Sequence, residues 1–141
     1  MQRLSRRDDW RGRFAEEMDK QRREAFGWGT QDCAIGLVAG AIEAVSGVDL
    51  AEQYRGKYDG PFGAVRILRD SGSLTLGDFA AKHLPEIHPS QARIGDIGIV
   101  AADGPIGEAF CIFDASSVIV MTEQGHGRLP RADVIRAFKV G

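Results

Sequence analysis

Phe26-Gly27-Trp28-Gly29-Thr30-Gln31-Asp32-Cys33 decides how this chain is read. Two glycines flank a tryptophan ahead of an Asp-Cys pair. The most apolar helix-forming stretch follows at once: Ala34-Ile35-Gly36-Leu37-Val38-Ala39-Gly40-Ala41-Ile42-Glu43-Ala44-Val45. A cysteine in the first turn of a helix faces unpaired backbone N–H groups and the positive end of the helix dipole. Both favour the thiolate, and such sites lower a cysteine pKa from about 8.5 to roughly 3.5–7.5. This is where a cysteine nucleophile would be built. Asp32 fits an N-cap that accepts the first helical amides, or a catalytic acid. Trp28 reads as an apolar anchor.

Working outward, Gly36 and Gly40 each cost the helix about 1 kcal/mol in propensity. Small residues at four-residue spacing admit a close neighbour, which predicts a central helix packed tightly on a sheet. Gly47 fits its C-cap. Upstream, Trp10, Phe14 and Met18 recur at i, i+4, i+8 within the charged stretch 8–24, the pattern of an amphipathic helix with a narrow apolar stripe. That stripe fits packing on its own domain or docking on a neighbouring subunit. Asp8 or Asp9 could cap this helix.

Downstream, Asp49 could open a short helix over 49–54. Arg55-Gly56-Lys57-Tyr58-Asp59-Gly60-Pro61 reads as a loop, in which Tyr54, Arg55 and Tyr58 either line a groove or face solvent. It is not a phosphate loop, because Ala51 and Tyr58 stand where that motif needs Gly and Ser or Thr. Helices are predicted over 62–70 and 74–83, the second capped by Ser73 with Leu74, Leu76, Phe79 and Ala80 inward. Pro85 and Pro89 close the helical half. From Ile94 the texture changes to short β-rich runs at 97–100, 110–113, 118–121 and 134–140, separated by Gly, Asp, Ser and Pro. Asp114-Ala115-Ser116-Ser117 is a hairpin-sized connection. Helices first and an antiparallel sheet second predict a single α+β domain over 1–141, with a helical half at 8–85 and a β-rich half at 94–140.

Composition bounds the function. The chain has 141 residues, 43% hydrophobic and 27% charged, with a formal charge of −2. That balance gives no global pull toward nucleic acid or an anionic membrane. The arginines of residues 1–24 are offset by Asp8, Asp9, Glu16, Glu17, Asp19 and Glu24, so they read as a solvated helix face. No apolar run approaches the roughly 18–20 residues of a membrane span. The N-terminus lacks the apolar core of a signal peptide, so synthesis in a cytoplasm is expected. Cys33 and Cys111 do not make a disulfide framework. No Cys/His spacing suits a metal, and no cofactor is expected. His83 and His88 fall on different helix faces, and neither is expected at Cys33.

Trp28-Gly29 followed by Asp32-Cys33 at a helix start resembles the NlpC-type cell-wall peptidases, which share the papain-like fold. Gly95-Asp96 resembles the Gly-Asp turn that opens a strand in that family. Ala109-Phe110-Cys111-Ile112-Phe113 resembles the strand that begins with its catalytic histidine. The short arginine-rich first helix and Arg55-Gly56-Lys57-Tyr58 are similar to small NlpC-like proteins encoded among phage and prophage tail genes. The resemblance implies an NlpC-type core, with Cys33 in the nucleophile position and Asp32 preceding it.

It also implies a broken site. Ala109 stands where the histidine belongs, and the orienting polar residue would fall near Met121. A cysteine peptidase needs a base to hold the thiolate and an acid for the leaving amine. Loss of such a member costs on the order of 10⁴–10⁶ in rate. His126, in Gly125-His126-Gly127, is the one substitute base that folding back would supply. Glu108 is turned away from the vacant position by strand alternation, and Cys111 shares the face of Ala109 and is expected near Cys33.

The resemblance therefore implies a tail-associated structural or assembly component of a phage or phage-like particle, on a degenerate cysteine-peptidase scaffold. It would be made in a host cytoplasm and end in the particle tail, with other tail proteins as partners and no nucleic acid. The alternative is a peptidoglycan peptidase or amidase using Cys33 with His126 or a partner-supplied base.

Overall fold

The computed structural model describes residues 3–141. Among these the chain is mixed α+β, with its helices first. Helix α1 spans Trp10–Gln21, a π-helical segment Cys33–Val38 runs straight into α2 at Ala39–Ser46, and α3 (Pro61–Asp70) and α4 (Leu76–His83) follow. The strands are β1 (Glu86–Ile87), β2 (Ile97–Ala101), β3 (Glu108–Phe113), β4 (Ser117–Thr122), β5 (Gly125–Pro130) and β6 (Arg136–Phe138). They form one antiparallel sheet in the order β1-β6-β2-β3-β4-β5.

Strand alternation gives the sheet two buried faces. Ile97, Ile99, Phe110, Ile112, Ile119 and Met121 point to the helices and join Leu37, Ala41 and Val45 in the main core. Val100, Cys111, Phe113, Val118 and Val120 point the other way, where Ala92 and Val134 from the connections cover them. Trp10, Phe14 and Met18 are buried in the main core, so the stripe of α1 packs on its own domain.

The central helix is built differently from the expectation. Its first six residues follow a π pattern, with the Leu37 amide reaching back to the Asp32 carbonyl at 2.9 Å. Gln21 of α1 adds a bond to this segment, donating from Nε2 to Gly36 O at 3.0 Å. The two glycines make room for side chains, not for the sheet. A Cβ at Gly36 would lie 2.6 Å from the Gln31 side chain, and one at Gly40 2.5 Å from Glu17 and 2.7 Å from Gln21.

Other boundaries shift for local reasons. Residues 49–54 form only turns, with Asp49 accepting from the Ala51 amide at 3.0 Å. Thr75, not Ser73, caps α4, accepting from the Asp78 amide at 3.0 Å. Leu74 therefore lies outside the helix, 93% exposed, where an inward position was expected. The segment around His126 is a strand, not a loop. Strand β5 pairs with β4 along its length, setting His126 opposite Met121.

Candidate functional site

The site forms around Asp32, which is 2% exposed. Its Oδ1 accepts from the amides of Ala34 (3.0 Å) and Ile35 (2.7 Å), the first turn of the central helix. Oδ2 accepts from the Gly29 amide at 3.0 Å and from the Tyr58 hydroxyl. One carboxylate thus ties the turn before the helix, the helix start and the 50–60 connection together. Gly29 makes this possible. Its φ is +77°, and a Cβ there would sit 2.0 Å from the Tyr58 carbonyl oxygen. The Trp-Gly-x-x-Asp motif is a folding device, and Asp32 acts as the cap.

That arrangement explains Cys33. Two of the helix-start amides that would stabilise a thiolate, those of Ala34 and Ile35, are already bonded to the Asp32 carboxylate. The Cys33 side chain is half-buried, lines an apolar pocket and sits beside a negative charge. Burial first, and Asp32 second, push the Cys33 thiol up to about 12, although the Phe110 backbone amide opposes the shift. The expected thiolate is a protonated thiol.

Strand β3 does not present the surface that motif matching suggests. Ala109 packs against the outer core, with Cys111, on the face away from the central helix. Phe110 is the β3 residue that lines the space beside Cys33. Cys111 lies against Gly98, where a Cβ would meet its sulfur at 3.0 Å, and is not packed on Cys33. Both cysteines are free. Glu108 shares the helix-side face with Phe110 and is committed elsewhere, accepting from the Gly77 amide at the start of α4 at 2.9 Å.

The Gly-Asp turn is structural too. Asp96 accepts from Arg6 Nη2 at 2.9 Å and from the Val140 amide at 2.9 Å through Oδ1, and from the Arg93 amide at 3.0 Å through Oδ2. Arg6 also donates to the carbonyls of Val140 and Ile94 and stacks on Trp10 at 4.2 Å. Arg6 is thus an exception to the solvated arginine-rich face. Gly95, at φ +89°, leaves room for Arg6 and Trp10.

His126 serves the central helix. Gln21 spends its amide N–H groups on Glu17 and Gly36, so its Oε1 faces His126 Nε2, which donates across 3.1 Å. His126 Nδ1 is then a buried acceptor with no partner. Burial, followed by Arg22 and Arg128, lowers its pKa.

The imidazole that sequence reasoning missed is His83. It lines the same cavity as Cys33, Asp32, Tyr58 and Trp28. Its ring packs 4.8 Å from Phe79 and 6.5 Å from Tyr54, and burial lowers its pKa. The approach depends on how α4 docks, which no local pattern reports. Tyr54 and Tyr58 also line this cavity, while Arg55 pairs with Asp49 at 2.9 Å. The cavity measures about 120 Å³ and is lined almost wholly by carbon.

A family model described as a domain of unknown function, DUF6950, matches residues 5–140. The chain belongs to the DUF6950 family. Comparison with curated proteins and with solved structures gave no significant match. The DUF6950 match spans every residue of the site just described, from Arg6 to Val140. Among the described residues no cluster of three or more His, Cys, Asp or Glu is arranged to hold a metal, and no helix is long and apolar enough to cross a membrane.

Proposed function

We propose that this chain is a non-catalytic, protein-contacting component of a phage or phage-like particle tail, on an NlpC-type papain-like scaffold whose thiol is idle. The protonated state of Cys33 carries the non-catalytic part. A thiol with a pKa near 12 is a weak nucleophile at neutral pH. Among the described residues, no imidazole hydrogen-bonds to it. The scaffold reading is supported by the order of elements: a cysteine-bearing helix start, then an antiparallel sheet packed beneath it. The tail assignment rests on the resemblance of the arginine-rich first helix and the Arg55 to Tyr58 stretch. Phe62 in the first turn of α3 (75% exposed) and Leu74 just before α4 (93% exposed) supply apolar contacts for a partner.

One observation favours a second reading. His83 shares the cavity with Cys33, so a peptidoglycan hydrolase would take its base from α4 and not from His126. Incubating purified muropeptides with the wild-type chain and its particle partners separates the two. The proposal expects no cleavage and normal particle assembly with Cys33→Ala. Cleavage that disappears in both Cys33→Ser and His83→Ala establishes the hydrolase instead.

A further inference from the structure

The pocket beside Cys33 is a half-open cleft bounded by separate elements. Ala64, Ile67 and Leu68, on one face of α3, form one wall. Cys33, Ala34 and Val38 form a second, Phe79 and His83 of α4 a third, and Ile97 and Phe110 the floor. Among the described residues, Asp32 is the one acidic or basic group in the lining besides His83. Its oxygens are occupied by Gly29, Ala34, Ile35 and Tyr58.

Helix α3 is the unusual wall. It is amphipathic, yet it buries none of its side chains completely. It is preceded by Gly60 and followed by Gly72 at φ +80°. A helix that borders a pocket while burying so little is among the least firmly held parts of a fold.

We propose that the cavity under α3 binds a small uncharged apolar molecule, an aliphatic or aromatic group of about six to eight carbons. An enclosed apolar cavity of about 150 Å³ accepts benzene, and this half-open cleft is of similar size with a lining almost wholly of carbon. A charged ligand has no free counter-charge in the lining. The ligand is held without a covalent bond, since Cys33 is protonated. The Cys33 thiol and the neutral His83 imidazole offer at most a hydrogen bond to an uncharged oxygen. This site stands independently of any role in a particle tail.

Titration of the full chain with toluene and with 1-hexanol, followed by amide chemical shifts and thermal unfolding, tests it. The expected result is saturable binding with shifts centred on Cys33, Ala64 and His83, a raised melting temperature and slower hydrogen exchange in α3. Hexanoate binds at least tenfold more weakly than 1-hexanol. Ala64→Phe, which fills the cavity, weakens toluene binding at least tenfold; if that variant does not fold, Ala64→Leu shows a smaller loss. Absence of saturable binding to the wild-type chain, shifts away from α3 and Cys33, or equal binding of hexanoate overturns the proposal.

Discussion

The Tyr58 hydroxyl donates a hydrogen bond to Oδ2 of Asp32, joining the 50–60 connection to the residue that precedes Cys33. Burial first, and Asp32 second, hold the phenol's pKa above its usual value. Tyr58→Phe is expected to cost roughly 1.5–3 kcal/mol, the range for a hydrogen bond to a charged group. Asp32→Ala costs more, because it also strands three amides. The two share one interaction, so a double-mutant cycle in urea gives a coupling of at least about 1 kcal/mol. Additive losses would show that the contact contributes nothing.

Gly29→Ala isolates the backbone part of the same device. The new Cβ would sit 2.0 Å from the Tyr58 carbonyl oxygen at a φ of +77°. Left-handed strain alone is about 1–2 kcal/mol, so a loss above about 2 kcal/mol is expected by denaturant unfolding. Gly56, with nothing within 4 Å of its would-be Cβ, is the control for φ strain without a clash. Equal losses at the two positions would remove the close approach from the explanation.

The Arg6–Asp96 pair is buried, with side-chain exposures of 5% and 2%. Removing one member leaves the other charge without its partner, which costs about 3–5 kcal/mol. Asp96→Ala should lose at least that much, since the Val140 and Arg93 amides lose their acceptor too. Arg6→Met and the double variant complete the cycle. A double variant no worse than the worse single confirms that the pair acts as a unit.

Acid should weaken the fold through two histidines. His83 and His126 both have pKa values lowered mainly by burial. As pH falls through the unfolded-chain value of about 6.5, the unfolded state takes up protons first, so stability drops between about pH 7 and pH 5. The urea midpoint measured across that interval should fall, and His83→Phe should flatten the slope. A midpoint that rises on acidification contradicts the assignment of neutral imidazoles.

What the sequence made legible follows the range of the forces involved. The start of the central helix at Cys33 and the capping role open to Asp32 could be read because a cap bonds amides two and three residues away. The α1 stripe was visible as a period, though its partner was not. His83 was missed because only the docking of α4 brings it to Cys33. Strand β5 was missed because Gly125, His126 and Gly127 carry no strand pattern; backbone pairing to β4 makes the strand. Ala109 was placed on the wrong face because a period of two turns a one-residue slip into an inversion. The thiolate expectation counted the helix-start amides as free, but Asp32 occupies those of Ala34 and Ile35.

The most direct test is the pH profile of Cys33 alkylation, measured with iodoacetamide and peptide-level mass spectrometry. With a pKa near 12, the reaction should be at least about a hundredfold slower than a free thiol of pKa about 8.5 at pH 7.5. It should climb about tenfold per pH unit without a plateau below pH 10. A rate at pH 7.5 equal to or above the free thiol's, with a plateau near neutrality, would contradict the idle thiol at the centre of this account.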